Sequence, residues 1–286
     1  MERFLVILNL KPKEMKNLLV ASMLLLSFAF AKAQKIKGNR DVTTQIITVE
    51  PFQEIRIGEE LEVTLSEGVT PKVDVKADSN LHQYIDVSVI GGVLTIKTTA
   101  DIRRNKELKI NIVYTPELRT ITVFEDAQLS TTTNFRLEML QINVKDKARV
   151  YFTGRVNELI FNGMADSKSE CNLGGGSAQL NLNGNSDTEA LLKYDEINFL
   201  MTDKATARIE GDAKTASMVL EGRADLVAEK LDLKDLKLSI TRNAEASVNV
   251  NKDFELKASG NAQIELYNNP KINMAEFTDR AVLMKK

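Results

Sequence analysis

"KASGNAQIELYNNP", residues 257–270, reads as a turn followed by a short run of alternating apolar and polar residues, with the small residue Ala262 between them. Its core recurs upstream: "TRNAEASVNV" begins at 241, "TDKATARIEG" at 202 and "KDKARVYFTG" at 145. Anchoring each copy on the small residue and counting back from Ala262 gives Ala244, Ala224, Ala205, Thr188, Ser167, Ala148 and Ala127. From the N-terminal end the steps are 21, 19, 21, 17, 19, 20 and 18 residues. A period near 19 over eight copies is the signature of a solenoid.

The flanking columns support that reading. Six residues before the anchors stand Ile121, Ile142, Phe161, Leu182, Phe199, Met218, Leu238 and Leu256. Polar residues alternate with such apolar columns on both sides, a period of two that no helix sustains. Each copy is therefore expected to be strand, corner, strand and loop. Strands of successive coils then pair about 4.8 Å apart, and a small corner residue lets the coils stack without a clash. Turn-prone residues beside the anchors, such as Asp126, Asp166, Asp187, Asn243 and Asn261, suit tight or left-handed backbone. The expected fold is all-β: a right-handed parallel β-solenoid of about eight coils, flattened or three-sided, over residues 118–270.

Residues 42–117 also alternate but do not repeat. Gly91-Gly92 marks a hairpin between two of their strands. They are expected to form an N-terminal β cap or small β-domain over the open sheet edge. Residues 271–286 are expected to cover the other end.

Ahead of the fold, residues 15–33 carry a short basic start at Lys16, an apolar run from Leu18 to Ala31 and the small-x-small site Ala31-Lys32-Ala33. This is the pattern of a secretory signal peptide cut before Gln34, and residues 1–14 then suggest a start codon placed too early. The exported chain is expected in the periplasm, on the outer-membrane surface or outside the cell, with no membrane span in its mature part. Removing residues 1–33 takes away five basic and two acidic residues, which leaves a net charge of -5. Nothing in the charge balance suggests a nucleic-acid or anionic-membrane partner, and no nucleic acid is expected. One cysteine, Cys171, permits no intrachain disulfide.

The segments "FQEIRIGEELEVTLSEG", "VDVKADSNLHQYIDVSVIGGVLTIKT", "YTPELRTITVFEDAQL" and the closing "ASGNAQIELYNNP" occur in that order over nearly the whole mature chain. In this the chain resembles the auto-transporter adhesin head family with the GIN domain, widespread in Bacteroidetes. The family's repeated corner is well kept at Ser259-Gly260-Asn261-Ala262 and has drifted at Lys145-Asp146-Lys147-Ala148. The resemblance implies no catalytic residues.

Candidate chemistry is sparse. His82 is the only histidine and lies beside no obvious nucleophile, so it is expected in a surface or hydrogen-bonded loop. One histidine and one cysteine exclude histidine-based and thiolate metal centres, and no cofactor is expected. Cys171 falls in an inward column with Phe152 and Ile209 and is expected to be buried and inert. Gly174-Gly175-Gly176 lacks the Lys-Ser/Thr of a phosphate loop and reads as a loop between coils. Asp146 and Asp166 occupy comparable corners near Arg149, which keeps open a solenoid carbohydrate-active enzyme using surface carboxylates.

The polar outer columns carry the candidate binding site. Asn143, Asn162 and Asn183 lie five residues before successive anchors. Asn181 and Asn198 lie seven before theirs, behind Gln141, and Leu200 and Val219 interrupt the amides further on. Such a line either braces stacked coils or offers a flat polar strip to a glycan. The expected function is that of a non-enzymatic cell-envelope or surface protein, binding glycan or protein in the manner of an adhesin through a rigid solenoid face.

Overall fold

The computed structural model describes residues 35–132 and 134–286. The expected signal peptide and the segment before it lie outside the described residues. The described chain is all-β, a parallel β-solenoid of about nine turns. A 3-10 turn at His82–Tyr84 is the one helical element among the described residues.

Regular stacking begins with β10 (Thr120–Val123), β11 (Gln128–Thr131) and β12 (Phe135–Val144), numbered after nine strands that precede them. It continues through β13 (Arg149–Gly163), β14 (Lys168–Leu182), β15 (Asp187–Met201), β16 (Thr206–Leu220) and β17 (Asp225–Ile240). Next come β18 (Glu245–Ala258) and β19 (Gln263–Tyr267), then β20 (Lys271–Phe277) and β21 (Val282–Lys285). Each long strand pairs in parallel with the next. Pairing puts Ile142, Phe161, Leu180, Phe199, Met218, Leu238 and Leu256 in one buried column. Apolar residues from all sides of each turn meet there as one continuous core.

The register differs from the expected one at a single coil. Asp187 N donates to Ser167 O and Thr206 N to Ser186 O, so Ser186 is the corner and Thr188 lies two residues into β15. From Ala148 to Ala205 the corners are then 19 residues apart, in place of the expected steps of 19, 21 and 17. A two-residue slip keeps every side chain on its own face, so alternation alone does not detect it. The true irregularities come later, as register shifts between Arg208 and Glu210 and within the pairing of β17 with β18.

Every corner follows one plan. The residue two before the corner residue is left-handed at Glu59, Glu125, Asp146, Ala165, Gly184, Asp203, Gly222, Arg242, Gly260 and Asp279, with φ from 57° to 81°; the corner residue is small at all of these except Leu61 after Glu59. These are not the residues immediately beside the anchor that the sequence suggests. The corner residue itself is buried, as at Ala127, Ala148, Ala205, Ala244 and Ala262. At Glu125, Ala165, Gly184, Asp203, Gly222, Arg242 and Gly260 the left-handed carbonyl accepts an N–H from the next turn, as Asn185 N to Ala165 O at 2.8 Å and Arg280 N to Gly260 O at 2.8 Å. The acidic residues add a second link. Asp146, Asp203 and Asp279 accept the N–H of Glu125, Gly184 and Gly260 in the preceding turn, at 3.0, 3.3 and 2.9 Å. Aspartate tolerates left-handed backbone, and here its carboxylate also satisfies a neighbour's donor.

Gly174-Gly175-Gly176 lies within β14, where the backbone bends, and is not the expected loop between coils. A Cβ on Gly175 would lie 1.9 Å from Val156 O, so a side chain has no room there.

The N-terminal strands are β1 (Lys35–Ile36), β2 (Val42–Thr48), β3 (Glu54–Ile57), β4 (Glu62–Glu67) and β5 (Lys72–Asp78). They are followed by β6 (Ile85–Ile90), β7 (Val93–Thr98), β8 (Asp101–Ile102) and β9 (Leu108–Tyr114). Part of this region belongs to the stack: β3 and β4 pair in parallel with β10 and β11. On their other side β3 pairs with β7 and β4 with β9, also in parallel. The chain therefore passes one turn when it runs from β9 to β10, and Gln53 O accepts both Arg119 N and Thr120 N on the way. Antiparallel strands then cover this end: β6 on β7, β5 on β9 and β2 on β5.

At the opposite end residues 271–286 continue the stack as a further turn, β20 on β18 and β21 on β19. Ile272, Met274 and Phe277 are exposed there. Lys285 stands opposite Leu266, in a column that is otherwise apolar and buried.

The corner geometry predicts opposite effects of two substitutions. Ala165→Gly relieves a left-handed alanine, worth about 1–2 kcal/mol, less about 0.4–1 kcal/mol of unfolded-state entropy; its urea midpoint should rise. Gly260→Val puts a branched side chain at φ +75° and a Cβ within 2.8 Å of the Arg242 backbone, and its midpoint should fall.

Candidate functional site

Two outer faces of the solenoid carry ordered polar columns. On the first, pairing aligns Thr122, Asn143, Asn162 and Asn181, followed by Leu200 and Val219. The amides bond head to tail: Asn143 Nδ2 to Thr122 Oγ1 at 3.3 Å, Asn162 Nδ2 to Asn143 Oδ1 at 2.8 Å and Asn181 Nδ2 to Asn162 Oδ1 at 2.8 Å. Gln141 Nε2 braces Asn143 Oδ1 at 3.0 Å, and Asn143 is only 9 % exposed.

The ladder thus contains Asn143, Asn162 and Asn181. Asn183 does not belong to it. It opens the corner, where its carbonyl accepts Ser186 N and its N–H bonds Gly163 O. Asn198 pairs with Gln179 and Ser217 in the neighbouring column and donates to Glu196 Oε1 at 3.0 Å. The shift of the corner from Thr188 to Ser186 takes Asn183 out of the ladder and brings Asn181 into it, whereas Asn198 keeps its expected place seven residues before Ala205.

The second face was missed by sequence reasoning. One column of pairs runs Tyr151, Glu170, Glu189, Arg208 across β13–β16. Beside it run Thr153, Asn172 and Leu191. Together with Glu210 they border a groove of about 440 Å³. Glu170, Glu189 and Arg208 are exposed and Tyr151 is half-buried. Glu210 pairs with Lys230 at 3.0 Å, whereas Glu170, Glu189 and Arg208 form no ion pair among the described residues. The groove therefore presents an aromatic edge, two adjacent carboxylates and a guanidinium along neighbouring strands, about 4.8 Å per step.

Cys171 lies beneath this groove and is buried. Burial pushes its thiol pKa up to about 12, against a hydrogen bond from the Phe152 backbone that lowers it, while the Glu170 charge adds to the rise. His82 Nε2 meets Thr43 Oγ1 at 2.9 Å in the N-terminal region, away from the groove residues in sequence and sheet. The corner carboxylates serve stacking: Asp146 takes Glu125 N and Asp166 Oδ1 takes Asn185 Nδ2 at 2.8 Å. Among the described residues no cluster of three or more histidine, cysteine or carboxylate groups is arranged to hold a metal ion. No helix among them is long and apolar enough to cross a membrane.

The family model described as "Putative auto-transporter adhesin, head GIN domain" matches residues 51–162 and again residues 155–270. The chain belongs to this family. Two successive matches are what a repeating fold produces, since one stretch of turns resembles the next.

Solved structures share the architecture. A "putative adhesin" from Parabacteroides merdae ATCC 43184 aligns with TM-score 0.63 at 17% identity, over 89% of this chain and all of that one. A second, from Parabacteroides distasonis ATCC 8503, gives 0.62 at 19% over 88% of this chain and 98% of that one. A "Putative lipid binding protein" from the same organism gives 0.60 at 19%, over 88% and 97%. At such identities the likeness establishes the fold alone. No curated protein matches the chain by sequence.

Two outcomes follow from this geometry. Cys171 should resist thiol reagents at neutral pH until denaturant is added, and its raised pKa should cost stability as pH climbs from about 9 towards about 12, because the unfolded thiol ionises first. Asn162→Ala breaks the ladder on both sides and should lower stability by about 1 kcal/mol, read from the urea midpoint.

Proposed function

We propose that the protein is an exported, non-enzymatic, adhesin-like rod that binds an extended glycan along the groove between Tyr151 and Arg208. The observation that carries this reading is a run of unpaired polar groups beside a half-buried tyrosine, repeated at the spacing of the strands. A polysaccharide meets such a surface ring by ring. Hydroxyls donate to Glu170 and Glu189, accept from Arg208, and the apolar face of a sugar rests on Tyr151. Each contact is weak alone, and repetition along one chain makes them effective together.

The family's adhesin description and the signal-peptide pattern of residues 15–33 support a place in the envelope: periplasm, outer-membrane surface or exterior. The amide line takes a different role in this reading. Asn143, Asn162 and Asn181 spend their hydrogen bonds on one another, so they brace the turns, and Asn183 serves its corner. Asn198 stays available as a rim contact beside a neighbouring groove.

A glycan array with the purified protein identifies the ligand, and variants then locate the site. Tyr151→Ala and the pair Glu170→Gln with Glu189→Gln should weaken binding by about tenfold or more while the melting temperature holds. Full binding by both variants, with loss in Asn162→Ala at an unchanged melting temperature, would instead assign the ligand to the amide line.

A further inference from the structure

Within an N-terminal region that is slightly acidic as a whole, one small sheet gathers a local excess of cations. β1 and β8 form a separate two-stranded sheet, with Lys35 opposite Asp101 and Ile36 opposite Ile102. Arg103 N donates to Ile36 O at 2.7 Å and Gly38 N to Arg104 O at 3.2 Å, which extends the link on both sides. Arg104 is held at φ 58° within it. The result is a concavity of about 490 Å³ lined by Lys35, Lys37, Arg103 and Arg104. All four are exposed. Asp101 Oδ1 takes Arg103 Nε at 2.7 Å, which occupies one edge of that guanidinium. Lys35, Lys37 and Arg104 have no ion pair among the described residues.

Four like charges in and just after two short strands, with Asp101 as the one carboxylate paired to them among the described residues, repel one another, and nothing in the core requires them. Backbone pairing holds them together regardless of side chain, so an anion is the partner that relieves the repulsion. Guanidinium and ammonium groups converge readily on phosphate oxygens, and arginine stays charged at any physiological pH.

The sequence says which phosphate-bearing partner lies nearest. The apolar run Leu18–Ala31 ends four residues before Lys35. At roughly 3.3–3.6 Å per extended residue, the first of these cations starts within about 14 Å of the segment that enters the membrane during export. We infer that this end of the rod is a docking surface for anionic phospholipid headgroups, which brings its N-terminal end against the membrane. The inference is independent of the flank groove. An even spread of charge at -5 would repel such a surface, whereas a cluster on one end is attracted within a Debye length whatever the remainder carries.

Vesicle sedimentation tests it with the purified protein. The protein should sediment with vesicles containing phosphatidylglycerol, stay in solution with phosphatidylcholine alone, and be released by high salt. Each basic group near an anionic surface changes partitioning by about fivefold. Arg103→Glu with Arg104→Glu should therefore weaken it by at least about 25-fold, and Lys35→Glu with Lys37→Glu, which leaves the Arg103–Asp101 pair intact, should do the same. Arg149→Glu with Lys168→Glu, an equal charge change on the flank, should leave it unaltered. Equal sedimentation with both vesicle types, equal losses in the flank variant, or no sedimentation at all would overturn the proposal. So would release by inorganic phosphate beyond that by chloride at matched ionic strength, which would reveal a discrete phosphate pocket in place of a lipid surface. Glycan binding measured on the same variants stays at the wild-type level if the two sites are separate.

Discussion

The hydrogen bond that most corners make to the left-handed carbonyl of the turn before is the constraint on which the remainder of the structure depends. Strand pairing alone tolerates slippage, because a parallel ladder offers equivalent partners at many offsets. A corner does not. Its left-handed residue, its buried small residue and its N–H to the preceding carbonyl lock one offset per turn, as at Asn185 with Ala165 and Arg223 with Asp203. Once that offset is set, inward columns become a core and outward columns become lines of chosen chemistry.

Much of this was legible in the chain, and the part that was not has a physical reason. The repeat, the parallel pairing and the buried position of Cys171 follow from alternation around a small residue. Alternation is blind to a shift of two, which is how Thr188 was exchanged for Ser186 and Asn183 for Asn181. A second column would have resolved it: Gly184, Gly222 and Gly260 each stand two residues before Ser186, Ala224 and Ala262. The Tyr151–Arg208 line was hidden for a different reason. Its members share no chemical type, so only the correct register makes them neighbours. The stacking of β7 and β9 outside β3 and β4 leaves no local trace either, since the chain reaches those positions out of sequence order.

Different faces and ends of the molecule do different work. The amide ladder turns its polar atoms inward on one another and stiffens the stack. The groove over Cys171 leaves comparable atoms unpaired, as a surface meant for a partner does. The β1–β8 sheet gathers cations at the N-terminal end. A continuous core from β7 to β19 holds these faces and ends in fixed relation to one another.

Lys285 has one further consequence. A stack of parallel strands is a growing edge, the same geometry by which fibrils recruit fresh chains. Where Leu266 would invite another layer, Lys285 places an ammonium group in the path of any strand that tried to add, and the irregular pairing at Met274–Glu276 spoils the template beside it. The solenoid thus borrows the architecture of amyloid, and at this edge a charge in an apolar column and a broken register both oppose its propagation.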